Sequence, residues 1–71
     1  MENEIKILEL YNILKKEKSE WTFYITTKHK LIVYTHLPKD NLSEAKDYFS
    51  EITKKLELEY KIDNNNVFVI S

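Results

Sequence analysis

Two stretches of the chain place hydrophobic residues at intervals of three and four positions, which is the spacing of one face of an α-helix. The first stretch covers residues 2–16, with glutamates near its start and lysines near its end, and this charge order favours a helix through its dipole. Its apolar stripe consists of Ile7, Leu10, Tyr11 and Leu14, widened by Ile5 and Leu8. We therefore predict an amphipathic helix that buries this stripe.

The second stretch begins after Pro38 and predicts another amphipathic helix. Its apolar stripe is Leu42, Ala45, Phe49, Ile52 and Leu56. Asn41 and Glu44 have the spacing of a capping box, in which the Asn41 side chain caps the helix and Glu44 reaches back. The end of this helix is ambiguous, because residues 56–62 alternate between apolar and charged side chains while the helical spacing also continues. We favour a strand from about residue 58.

Residues 21–27 and 31–37 alternate between two faces and are rich in aromatic and β-branched side chains, which is typical of β-strands. The turn between them has neither Gly nor Asn nor Asp, so we expect a longer or bulged connection. Residues 67–70 follow an Asp-Asn-Asn-Asn turn at 63–66 and predict a closing strand. The predicted order is α-β-β-α-β-β, an α+β fold with two helices packed on one face of a small antiparallel sheet.

The composition indicates a single small domain over residues 1–71. Hydrophobic residues make up 42% of the chain and charged residues 32%, which is enough apolar surface to form a core. There is no cysteine, so disulfides and thiolate zinc sites are excluded, and the first residues lack the pattern of a signal peptide. A net charge of −1 gives no global attraction to membranes or nucleic acids. We expect a cytoplasmic protein that does not bind membranes.

The residue patterns of common catalytic and cofactor sites are missing from the sequence. The chain has no glycine, and the loops that cradle phosphates or form oxyanion turns depend on glycine. The serines lie outside any nucleophile motif. His29 and His36 are seven positions apart on one hairpin and would need a third ligand to hold a metal ion. We expect a protein with no enzymatic activity, cofactor, metal or small-molecule substrate.

One candidate interaction site is the sheet face that the helices leave free. The alternation of the two hairpin strands places Tyr24, Tyr34 and His36 on this face, beside residues of the last strand. Tyrosine offers a large rigid area with a polar tip and is enriched in protein interfaces, although exposed tyrosines also occur without a partner. The first hypothesis is a small regulator or inhibitor that binds another protein, or a second copy of itself.

The second candidate site is the hairpin tip formed by Lys28, His29 and Lys30. The lysines near the end of the first helix would add to its positive charge if that end lies nearby. Positive charge beside stacking aromatic rings is the combination that sheet-surface RNA binders use. The alternative hypothesis is therefore a nucleic-acid-binding module, and an ordinary solvated hairpin tip is the competing interpretation.

Overall fold

The protein forms two helices and a four-stranded antiparallel sheet in a computed structural model that describes residues 2–63 and 67–71. In chain order the elements are α1 (Glu2–Glu17), β1 (Thr22–Ile25), β2 (Leu31–Tyr34), a 3-10 turn (Lys39–Asn41), α2 (Leu42–Leu56), β3 (Tyr60–Asp63) and β4 (Val67–Ile70). The strands lie in the order β1-β2-β4-β3, and every neighbouring pair is antiparallel. The predicted α+β class and the order α-β-β-α-β-β are confirmed.

The hydrophobic core lies between the helices and one face of the sheet, here called the covered face. The strand register aligns Phe23, Val33 and Phe68 in a row across β1, β2 and β4. Phe49 of α2 packs on this row, with its ring centroid 4.6 Å from that of Phe68. The buried hydrophobic residues are Ile7, Leu10, Leu14, Trp21, Leu31, Val33, Ala45, Phe49, Leu58, Phe68 and Ile70. Each large side chain buried in this way contributes about 1.5–3 kcal/mol, so this layer holds the helices on the sheet.

Among residues 2–63 and 67–71, three residues adopt left-handed backbone angles at connections where glycine is the usual residue. They are His29 with φ 61°, His36 with φ 60° and Glu57 with φ 58°. This conformation costs about 1–2 kcal/mol for a residue that has a Cβ atom. Because the chain contains no glycine, the surrounding hydrogen bonds and packing must offset this cost at each position.

Hydrogen bonds account for two of these connections. In the β1–β2 loop, the His29 N–H donates to the Thr26 carbonyl over 3.0 Å, which closes a turn that ends in the left-handed residue. The predicted longer or bulged connection is confirmed. At the end of α2, the left-handed Glu57 allows the Leu58 N–H to donate to the Thr53 carbonyl over 2.8 Å, which is the Schellman pattern.

The predicted apolar stripe of α1 is too wide. Ile5 is 67% exposed and Leu8 is 53% exposed, so neither residue belongs to the buried side of the helix. At about 100° per residue, Ile5 points about 180° away from Leu14 and Leu8 about 120° away. The stripe that contacts the sheet is therefore the narrower set built on Ile7, Leu10 and Leu14.

The predicted capping box at the start of α2 is wrong. Within the described residues 2–63, Asn41 has φ −103° and ψ 5° and forms no side-chain hydrogen bond to the helix start. A capping side chain ordinarily extends from a residue with β-region angles. The 3-10 turn before α2, in which the Asn41 N–H donates to the Pro38 carbonyl over 2.9 Å, imposes different angles. The Asn41 side chain therefore does not cap the helix, and the predicted capping box, which needs both Asn41 and Glu44, is not formed.

The strands are shorter than the alternation predicted. The first two strands have four residues each instead of the predicted seven at 21–27 and 31–37. The ambiguity at 56–62 is resolved as a helix that ends at Leu56 and a strand that begins at Tyr60 rather than at about residue 58. The chain reverses direction between Leu56 and Tyr60, so the alternation of apolar and charged residues begins before the strand does. Residues 64–66 of the predicted turn lie outside the described residues.

Candidate interaction surface

The sheet face turned away from the helices, here called the open face, is formed by side chains of all four strands. By register these residues are Thr22, Tyr24, Ile32, Tyr34, Lys61, Asp63, Val67 and Val69. Ile32 and Val69 face each other at the centre and are half-buried. Tyr24 is 57% exposed and Tyr34 is 44% exposed. The open face therefore has an apolar centre flanked by tyrosine rings on one side and by charged side chains on the β3 edge.

His36 joins the open face just beyond the end of β2. Its imidazole ring lies 4.4 Å from the Tyr34 ring between centroids, at an interplanar angle of 31°. Its Nε2 atom shares a hydrogen bond of 2.7 Å with the Thr22 hydroxyl. The backbone at His36 is left-handed, with φ 60°, and its side chain lies against Tyr34 and Thr22. The sequence-based placement of His36 beside Tyr34 thus agrees with the structure.

The local backbone around His36 explains how this conformation is held. Thr35 is buried, with 2% of its surface exposed, and its hydroxyl accepts a hydrogen bond of 3.4 Å from the Leu37 N–H. Leu37 is half-buried and also packs against the core. With a buried residue before it and a half-buried residue after it in the chain, His36 itself is exposed on the open face. A strained residue held in this way is a common feature of functional surfaces.

The basic tip is separate from this tyrosine and histidine cluster. Lys28, His29 and Lys30 lie at the loop end of the hairpin, whereas Tyr34 and His36 lie at the other end. At about 3.3 Å per residue, the four steps from Lys30 to Tyr34 span about 13 Å, and His36 lies further along the chain. The six candidate residues therefore form two sites, with Tyr24 between them.

An acidic side chain lies against the basic tip. The His29 Nε2 atom is 2.8 Å from the Glu4 Oε1 atom near the start of α1. The end of α1, which carries further lysines, lies near Trp21 instead, where the Lys18 Nζ atom is 5.2 Å from the Trp21 ring centroid. The condition for a larger basic patch, that the helix end lies near the tip, is not met. The positive charge of the tip therefore comes from Lys28 and Lys30, and the Glu4 carboxylate lies beside the tip.

Parts of the open face were not found by sequence reasoning. The register selects Val67 and Val69, rather than Phe68 and Ile70, as the β4 residues on this side. Lys61 and Asp63 reach the same side because β3 is the outer neighbour of β4. A period of two cannot say which alternate set faces the helices when both sets are apolar, as in residues 67–70. Only the strand pairing decides this.

Other features of the described residues give no direct sign of function. Among residues 2–63 and 67–71, no group of three or more His, Cys, Asp or Glu side chains is arranged to hold a metal ion. Neither helix in this part of the chain is long and apolar enough to cross a membrane. The chain matches no family model, and searches of curated proteins and of solved structures found no match. The open face is therefore the main basis for a functional proposal.

Proposed function

We propose that this protein is a small non-enzymatic regulator or inhibitor that acts in the cytoplasm by binding another protein through its open face. The observation that supports this proposal is an exposed sheet face with two tyrosines and a stacked histidine around an apolar centre. Ile32 and Val69 at that centre would be removed from water by a partner. Interfaces of this kind combine an apolar centre with aromatic anchors.

The tyrosines are suited to provide most of the binding energy. Tyr24 and Tyr34 each present a rigid ring with a polar hydroxyl and lose little side-chain entropy when they are bound. The stack and hydrogen bond of His36 hold one end of the surface in a defined shape before a partner arrives. Such preorganisation reduces the entropy that binding costs.

The proposal is tested by comparing two double variants in capture from a native cell lysate followed by mass spectrometry. We expect Tyr24→Ala with Tyr34→Ala to lose the specific partner, because truncating an interface tyrosine often costs about 2 kcal/mol or more. The matched control is Ile5→Ala with Leu8→Ala, which removes exposed apolar side chains from the outer side of α1. Retention of the same partner by the folded tyrosine variant would contradict the proposal.

Two further measurements distinguish a second copy of the chain, or a nucleic acid, from another protein as the binding partner. Light scattering of the purified protein detects a dimer, and a dimer through the open face is lost in Tyr24→Ala with Tyr34→Ala. Binding of a labelled single-stranded oligonucleotide that weakens steeply with salt, and that is lost in Lys28→Gln with Lys30→Gln, would favour the nucleic-acid hypothesis instead. The contact of Glu4 with His29 at the tip makes this outcome less favourable electrostatically.

A further inference from the structure

A groove between the two helices forms a second surface, on the opposite side of the sheet from the open face. Its volume is about 380 Å³. The half-buried side chains of Ile13 on α1 and of Ile52 and Leu56 on α2 provide its apolar lining. We call this surface the interhelical groove. It is independent of the open face and of the function proposed for that face.

Two contacts show that the helices run antiparallel along the groove. The Tyr48 hydroxyl, in the first half of α2, donates a hydrogen bond of 2.9 Å to the Glu17 carboxylate at the end of α1. At the other end, the Lys6 Nζ atom lies 3.8 Å from the Glu57 Oε2 atom. The groove residues on α1 run from Glu9 to Glu17, a span of about 12 Å at 1.5 Å per residue. The groove is thus long enough for about two turns of a docked helix.

The charges around the groove are mainly negative. Glu9, Glu17 and Glu51 contribute three carboxylates to its lining, against the ammonium groups of Lys55 in the lining and of Lys18, whose Nζ atom lies 5.1 Å from the Tyr48 ring centroid. The Glu17 carboxylate is held in place by the Tyr48 hydroxyl. Burial, and then the hydrogen bond and charge of Glu17, raise the pKa of Tyr48 above its ordinary value, so the hydroxyl remains a donor at neutral pH and into the alkaline range. An apolar lining with fixed negative charge at its rim is complementary to a basic amphipathic segment.

We propose that the interhelical groove binds a basic amphipathic helix of a partner protein. The apolar face of that helix would lie on Ile13, Ile52 and Leu56, and its lysines or arginines would lie against the rim carboxylates. Helices that dock in such grooves present apolar anchors at intervals of three and four residues, which matches the one-turn spacing of Ile52 and Leu56 on α2, with Ile13 across the groove. With the open face on the other side of the sheet, the protein has room to hold two partners at once.

The proposal is tested with a fluorescent helical peptide of about 14 residues, in which leucines form one face and lysines the other. We expect saturable one-to-one binding in fluorescence anisotropy at low salt, and none by a peptide with glutamate in place of each lysine. Replacing Glu9→Gln and Glu51→Gln should weaken binding about fivefold, because each partly exposed ion pair contributes modestly. These two changes leave the bond between Glu17 and Tyr48 intact.

The matched control removes the same charge elsewhere on the molecule. Glu20→Gln with Glu59→Gln changes two exposed carboxylates that do not line the groove, and should leave the affinity within about twofold. Amide NMR shifts caused by the lysine peptide should map to α1 and α2. Absence of saturable binding, an equal loss in the control, or shifts that map to the open face would each overturn the proposal. Tyr24→Ala with Tyr34→Ala should bind the peptide normally, so failure here leaves the open-face proposal standing.

Discussion

The two faces of the sheet are made by the same strands but differ in what their side chains do. On β2, Val33 is fully buried under the helices, whereas its neighbour Tyr34 is 44% exposed on the open face. On β4, Phe68 is fully buried and Val69 beside it is half-buried on the open face. Both faces are partly apolar. The difference shows that helix coverage, and not hydrophobicity alone, separates the buried face of the sheet from the exposed one.

The same comparison distinguishes two of the residues that have left-handed backbone angles. Glu57 is left-handed at a helix end, where the Schellman hydrogen bonds account for its conformation. His36 is left-handed beside the open face, where its side chain contacts Tyr34 and Thr22. The first conformation serves the fold and the second shapes a surface. Substitutions at these two positions should therefore separate effects on stability from effects on binding.

The largest expected effect is the loss of stability when the covered face is truncated. Phe68→Ala removes a ring whose centroid lies 4.6 Å from that of Phe49 and 5.8 Å from that of Tyr60. We expect a loss of about 3–5 kcal/mol, a large part of the roughly 4–10 kcal/mol available to a domain of this size. Urea denaturation followed by circular dichroism measures this loss. Tyr34→Ala on the open face is the control and should cost about 1 kcal/mol or less; equal losses in the two variants would remove the distinction between the faces.

A matched valine pair tests the same distinction with one kind of substitution. Val33→Thr places a hydroxyl in the buried core and should cost about 2 kcal/mol, because the group loses its bonds to water. Val69→Thr makes the same change on the open face and should stay within about 0.5 kcal/mol. Calorimetric melting should show a fall of roughly 8–16 °C for the first variant and a few degrees for the second. A fall for Val69→Thr as large as that for Val33→Thr would show that Val69 is buried, and would contradict the distinction between the two faces.

The smallest expected effect comes from relieving the left-handed backbone angles. Glu57→Gly should stabilise the protein by about 1 kcal/mol, since the exposed Glu57 carboxylate lies 3.8 Å from Lys6 and such a pair contributes little. His36→Gly relieves the same angle but loses the ring stack and the hydrogen bond, so its gain should be smaller. Denaturation and partner capture are measured for both variants. We expect only His36→Gly to weaken partner binding, and an equal effect of Glu57→Gly on binding would contradict the role assigned to His36.

Much of the fold was predictable because its periodicities are local. The alternation of residues 21–27 separated Phe23, which packs on the core, from Tyr24, which is exposed on the open face. The helical spacing placed Phe49 on the buried side of α2. One error arose where two local preferences compete. Asn41 has the residue type of a cap, but the preceding 3-10 turn changes its backbone angles.

The candidate sites were predictable to different degrees. The placement of Tyr24, Tyr34 and His36 followed from alternation along the hairpin, and the loop position of Lys28 and Lys30 followed from the gap between its strands. The neighbours of these residues depended on contacts that no local pattern contains. The contact between His29 and Glu4 joins residues that are 25 positions apart in the sequence. The interhelical groove likewise depends on two helices separated by the hairpin.

The sequence by itself determined the element types, their order and much of the buried side of each helix, because spacing along one element is set by backbone geometry alone. It also excluded disulfide and glycine-loop chemistry through the residues that are missing. Only the tertiary structure decided that β4 lies between β2 and β3, that Val67 and Val69 join the tyrosines, and that the start of α1 meets the hairpin tip. These features depend on pairing between distant segments, where several registers satisfy the same local pattern and the packing of the whole core selects one.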